Sequence, residues 1–313
     1  MIGQLRNGLS FEGRLIGLLS LMLDTVLQVI LCVGLISNLV ALWVILRQDV
    51  RKLDIGFALV MAICDLVFVV YKLGEAVYVG VSGDMRPKEN VMFGQWHGVI
   101  TTLLLHISTV CVGYLAALRF WVIVMRRKPS VKKWWMMFAI PLVLLLAWLI
   151  TAAAHENFKP LATKALFFLD IKTHSWIVGL CRFHMVVVDL LVVIAVNVSY
   201  PCIARIYISN LRILQSGRAL CKQQIAIYIK IISLVVLYDI AMCPVLFSLI
   251  FEVVTGEVTF LTLELIAVPT IFSMTVVNPL VLLTLHHETQ CELKDIINHF
   301  KAKLTNKSSQ VFA

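Results

Sequence analysis

The chain has 313 residues, 60% of them hydrophobic and 14% charged, with a mean hydropathy of +0.93 and a formal net charge of +9. Soluble domains carry about 25% charged and about 45–50% apolar residues, so this composition excludes an ordinary soluble fold and places the chain in a bilayer. The positive charge calls for no nucleic acid, because a basic face beside anionic membrane lipids accounts for it.

A hydrocarbon core of about 30 Å takes roughly 20 apolar residues of helix to cross. Seven runs meet that need: 16–46, 55–79, 99–125, 134–154, 176–206, 225–254 and 260–285. They hold few helix breakers and none of the alternation of a transmembrane barrel strand. The expected fold is an all-α membrane protein, a seven-transmembrane helix bundle over 16–285, and everything between the spans reads as connector. The fifth and sixth runs exceed the minimum, so they tilt or project beyond the bilayer. Lys and Arg set the orientation. Arg47, Arg51 and Lys52 follow the first run, RRKPSVKK (126–133) the third, and Arg212, Arg218 and Lys222 the fifth; Lys294, Lys301, Lys303 and Lys307 lie in the tail. The alternate connectors are balanced: GDMRPKEN (83–90) nets to zero and TGEV (255–258) has no base. This bias puts the short N-terminus (1–15) outside and the tail (303–313) in the cytoplasm of a multi-pass protein, expected at the plasma membrane.

Beyond the last run, Leu293, Ile296, Ile297 and Phe300 share one helical face, opposite Glu292, Lys294 and Asp295. That pattern predicts a short amphipathic eighth helix on the membrane surface, over 286–302. The eight cysteines are scattered without metal-ligand spacing. Cys181 has no partner near the outer face, and Cys291, just past the last span, is a candidate for lipidation.

Polar groups inside a membrane are expensive, so those present are informative. In span order they are Asn38 (GLISNLVALWVIL), Asp65 (MAICDLVF), Ser108 (HISTVCVGYL), Arg119 (AALRFWVIV), Trp148, Tyr200, Tyr238 and Asp239 before Pro244 (YDIAMCPVLF), and Asn278-Pro279 (SMTVVNPLVLLTL). A bare carboxylate such as Asp65 would cost about 2.5–3.5 kcal/mol at mid-bilayer, so it faces the bundle interior and takes a donor, a cation or a proton there.

This series resembles the rhodopsin-like (class A) G-protein-coupled receptors over about 34–300, with one marker in each span, in order. MAICDL resembles the second-span L-A-x-x-D-L, SNLV the first-span G-N-x-V, ALRFWVI the third-span D-R-Y with its flanks, and NPLVL the seventh-span N-P-x-x-Y. MCP stands where the sixth-span C-W-x-P ends, and Trp148 matches the fourth-span tryptophan. The resemblance implies a polar core of Asn38, Asp65, Ser108 and Asn278. Asp65 and Ser108 would ligate a sodium ion there, or the group simply bonds the helices together. It implies that Arg119 and Tyr200 meet a heterotrimeric G protein, and that Tyr238, Met242, Pro244 and Pro279 form an activation hinge.

The chain also departs from the family. Leu118 replaces the acid before the arginine, and Gln224 stands where some members have one at the base of span six. Met242 replaces the sixth-span tryptophan, Leu282 the seventh-span tyrosine, Val192 the fifth-span proline and Gly94 the third-span cysteine. Loss of the acid implies a loosened inactive state with basal activity.

Candidate ligand contacts in the outer half are Lys72, Glu75, Thr101, Thr102, His106, His184, Asp189 and Phe272. Lys72 and Glu75, three apart on one face, either meet a ligand or neutralise each other. Thr101 stands where amine receptors of the family carry an aspartate, which argues against a biogenic amine. Span seven has no lysine to bind retinal. The expectation is a small or lipid-like ligand, no resident cofactor beyond the sodium ion, and no enzymatic activity. The competing readings are a seven-helix transporter or channel, and a receptor-fold protein that does not couple to G protein.

Overall fold

The computed structural model describes residues 11–49, 52–82, 91–160, 166–170, 175–214, 218–257 and 261–285. The surface helix expected at 286–302, Cys291 and the tail at 303–313 lie outside the described residues. The elements are α1 (Phe11–Leu46), α2 (Leu53–Ser82), α3 (Val91–Arg119), α4 (Val131–Ala154), β1 (Phe158–Pro160), β2 (Phe167–Leu169), α5 (Trp176–Leu214), α6 (Arg218–Thr255) and α7 (Leu261–Leu285). A π-helical turn, Phe120–Val124, extends α3. Among the described residues, seven helices are long and apolar enough to cross a membrane, and the chain is a multi-pass helical membrane protein.

The helices are apolar outside and polar inside. Val29 and Ile36 on α1, Val143 on α4 and Ile240 on α6 are exposed, while Asn38, Asp65, Ser108 and Asn278 are buried. In water such a surface would aggregate; in lipid it faces its own kind, and the bundle collects the polar groups in its centre. The ring closes in the order α1–α2–α3–α5–α6–α7–α1. α4 leans on α3 and α5, and α3 also reaches α7 across the middle.

One boundary in particular differs from expectation for a physical reason. α3 begins at Val91, eight residues before the apolar run at 99. Its first turns, FGQWHG (93–98), are too polar to register as a span, yet Gly94, Gln95, His97 and Gly98 are buried there. α5 and α6 extend to Leu214 and back to Arg218, past the apolar windows Trp176–Ser209 and Tyr228–Thr255. These two runs exceed the membrane's requirement, as their length predicts.

What covers the start of α3 is a β-hairpin where the sequence suggests only connector. β1 and β2 pair antiparallel, Phe158 opposite Leu169 and Pro160 opposite Phe167. α4 stops as Glu156 takes a left-handed conformation (φ 54°); its N–H and that of Asn157 cap the carbonyls of Ala153 and Ala152. That reversal sends the chain back over the bundle. Phe158, Phe167 and Leu169 point inward and are buried, and Lys159 pairs with Asp170. At the opposite, basic end, Phe57 packs on Trp135, Phe138 and Tyr114 with ring centroids 4.6, 5.1 and 5.6 Å away. This locks α2, α3 and α4 together.

Candidate functional site

Four of the polar residues singled out in the sequence converge at the middle of the bundle. The Asn278 amide donates to Asp65 Oδ2 (3.1 Å) and Ser108 Oγ (2.8 Å), joining α7 to α2 and α3. Asn38 of α1 does not touch Asp65. Its amide donates to the carbonyls of Gly34 (2.9 Å) and Thr275 (2.7 Å). The Thr275 carbonyl lies four residues before Pro279, whose ring nitrogen has no hydrogen to offer it. Asn38 therefore supplies the donor that the proline removes. α1 gets close enough because Gly34 has no side chain: a Cβ there would lie 2.7 Å from Thr275 Oγ1.

The same arrangement recurs at Pro141. The Met137 carbonyl, four residues earlier, accepts a hydrogen bond from Tyr114 Oη of α3 at 2.6 Å. In a bilayer an unpaired backbone carbonyl has no water to turn to, and at these two breaks a neighbour's side chain takes its place. We expect Asn38→Leu to cost about 1–2 kcal/mol, read as a lower SDS-unfolding midpoint in mixed micelles. In a Pro279→Ala background, where the backbone N–H returns, the loss should shrink by half or more. An undiminished loss would show that Asn38 acts elsewhere.

A cation would find oxygen ligands in this core. Asn278 Oδ1 is a buried acceptor without a hydrogen-bond partner among the described residues, on the amide that bonds the Asp65 carboxylate and the Ser108 hydroxyl. Such an all-oxygen set suits a hard cation.

At the basic end, Arg119 Nη1 donates to Tyr200 Oη at 3.1 Å, with the guanidinium 6.0 Å from the Tyr200 ring. Arg119 Nη2 is buried without a hydrogen-bond partner. Among the described residues no carboxylate lies within ion-pair distance of it, in keeping with Leu118 at the neighbouring position. Tyr238 is buried, and its hydroxyl has no hydrogen-bond partner among the described residues. It faces Tyr200 across a small apolar gap lined by Val112, Val196 and Val281. Pro244 lies inside α6 and Pro279 inside α7.

Beneath the hairpin lies a cavity with about 630 Å³ of space not filled by protein atoms, part of it open to the surroundings. β2 supplies Phe167 and Phe168, α3 supplies Thr101, Thr102, Leu105, His106 and Thr109, and α5 supplies Met185 and Asp189. Leu166 just before β2, Met242, Val245 and Leu249 of α6, and Ile271 and Met274 of α7 also line it. Met242, standing where the resembled family has tryptophan, thus borders open space. His106 Nδ1 is 3.5 Å from Asp189 Oδ1. Behind them His184 packs 6.0 Å from the His106 ring and edge-on to Trp148 at 5.2 Å.

Of the candidate ligand contacts, Thr101, Thr102, His106 and Asp189 line this cavity, and His184 sits behind it. Lys72, Glu75 and Phe272 do not line it. Lys72 Nζ is 2.5 Å from Glu75 Oε2 and 3.4 Å from His97 Nε2, while Tyr71 Oη meets His97 Nδ1 at 2.9 Å. The i,i+3 pair is thus an internal one. Phe272 is core, packed edge-on against Phe68 at 5.3 Å with Lys72 above it at 5.9 Å.

Three contacts that hold the cavity's roof were not foreseen. Gln95 forms two hydrogen bonds of 2.9 Å to the Phe158 backbone, donating to its carbonyl and accepting from its N–H. The Phe158 and Phe167 rings lie over Gly98 and Gly94, where a Cβ would come within 2.2 and 2.4 Å of them. Arg182 of α5 pairs with Glu252 of α6 and donates to the Leu169 carbonyl, with its guanidinium 5.5 Å from the Phe168 ring. The only available sequence signal was the pair of glycines four apart, flanking a glutamine in an otherwise apolar approach. A scan against protein-family models and a search of curated proteins both returned no match.

Proposed function

We propose that this protein is a seven-transmembrane receptor of the rhodopsin-like type, which binds an extracellular ligand under the hairpin and activates a heterotrimeric G protein at its basic, cytoplasmic end. The observation that carries the reading is the junction of Asn278 with Asp65 and Ser108, next to a proline whose freed carbonyl, one turn earlier, is held by Asn38. Such a junction links the segment below the cavity to the basic end through α7, whose proline break is a natural pivot. A sodium ion, when bound, would be held by Asp65 and Ser108 with Asn278 beside them; it would neutralise the buried carboxylate and so favour one packing of the four helices.

Arg119 supports the coupling half of the proposal. Among the described residues it has an unused donor and no carboxylate partner, so its guanidinium is available to cap the carbonyls of an inserted helix C-terminus. The same lack of restraint favours activity without ligand. The purified protein in lipid nanodiscs should speed nucleotide exchange on at least one of a panel of Gα subunits above empty discs. Arg119→Ala should cut that stimulation at least tenfold. No stimulation of any Gα would sink the proposal in favour of a transporter, a channel or an uncoupled receptor fold.

A further inference from the structure

We propose that the cavity under the hairpin is a site for a lipophilic amine, with the ammonium group held between Asp189 of α5 and the Nε2 nitrogen of His106 of α3. This rests on the receptor reading in taking that cavity as the ligand site, and it names the ligand's chemical class. Asp189 and His106 are 6% and 5% exposed, and both line the cavity. Neither side chain is used up by its described neighbours: among the described residues Asp189 Oδ1 and His106 Nε2 have no hydrogen-bond partner. Their mutual approach of 3.5 Å is longer than the about 2.7–3.2 Å of a made N–H···O bond. A buried acceptor left in this state is costly, and more so when charged, so a ligand that satisfies both recovers that cost on binding.

The charge pattern selects the ligand. Among the described residues, Asp189 is the one carboxylate that lines the cavity, and neither lysine nor arginine lines it. The nearest candidates are engaged elsewhere, Arg182 with Glu252 and Lys72 with Glu75. An alkylammonium brings the missing positive charge and three N–H donors, enough for the carboxylate, for a neutral imidazole nitrogen and for one threonine hydroxyl. Thr101 can accept it, since its own hydroxyl already donates to the His97 carbonyl at 2.8 Å. An alcohol offers one donor and no charge, and an alkanoate offers none and is repelled by Asp189. Apart from Thr102 and Thr109 the rest of the wall is apolar, and Met185, Met242 and Met274 are flexible enough to follow an alkyl chain. In the family's amine receptors the carboxylate comes from the position of Thr101; here it comes from α5, which places the head group against a different wall.

The test is direct binding, with no G protein present. Octylamine, octanol and octanoate are titrated calorimetrically into the protein in zwitterionic nanodiscs, with empty discs subtracted. We expect saturable octylamine binding, at least tenfold tighter than either chain-matched probe. Asp189→Asn should erase that preference, His106→Leu should weaken octylamine at least threefold, and Asp189→Glu should retain the preference. Octanoate or octanol binding as tightly as octylamine overturns the proposal without recourse to any variant. So does undiminished octylamine binding by a folded Asp189→Asn protein. Amine-selective binding without Gα exchange would sink the receptor reading and leave the site standing, while Gα exchange without amine binding would do the reverse.

Discussion

Replacing Arg182 by leucine is expected to destabilise the protein by about 3–5 kcal/mol, the usual cost of removing one partner from a buried ion pair. Arg182 and Glu252 are 2% and 3% exposed, so the carboxylate left behind has lost its guanidinium in a place that water barely reaches. The variant also removes the donor to the Leu169 carbonyl and the cation above Phe168, freeing the second strand of the hairpin. Glu252→Leu alone should cost a comparable amount. The double variant Arg182→Leu/Glu252→Leu should cost clearly less than the sum of the two, because it buries no lone charge. Unfolding midpoints for the four proteins close the cycle. Additive losses would mean that the two side chains act independently.

The second large effect is expected at Gly98. A Cβ there would sit 2.2 Å from Phe158 Cδ1 and 2.7 Å from its Cγ. The ring has little freedom to retreat, because Gln95 grips both backbone groups of Phe158. Gly98→Val should therefore cost about 3 kcal/mol, the upper end for overpacking, and should expose the hairpin to protease and to hydrogen exchange. Phe158→Ala added to Gly98→Val should restore part of the loss, since it vacates the space that the valine takes. A double variant less stable than Gly98→Val would show that the clash lies elsewhere.

Much of this architecture is legible in the residues themselves. Seven apolar runs suffice to place seven spanning helices, and the cost of a carboxylate in lipid suffices to send Asp65 inward, where Asn278 and Ser108 meet it. The pairing of Lys72 with Glu75 follows from their i,i+3 spacing. The prolines announce freed carbonyls, but not which neighbours would serve them: Asn38 and Thr275 are 237 residues apart, and only the packed ring brings them together. His106 and Asp189 stand out singly as polar residues in their spans; that they share a cavity depends on how α3 and α5 pack. The hairpin was invisible for another reason. Its strands are three residues each, and their pairing is stabilised by glycines and a glutamine on α3 rather than by any pattern of their own. The same contact hid the true start of α3, whose polar first turns belong in a helix only because a hairpin covers them.

The noncovalent docking of that hairpin bears on how the protein is made. The segment 155–175 contains no cysteine, and Gly94 occupies the facing position on α3. The roof is held by the Gln95 amide, by rings stacked on two glycines and by the Arg182 guanidinium. Its closure therefore requires no oxidant and no disulfide isomerase. The cavity is complete once the helices have assembled in the membrane, and its roof is indifferent to the thiol–disulfide balance of the compartment it faces.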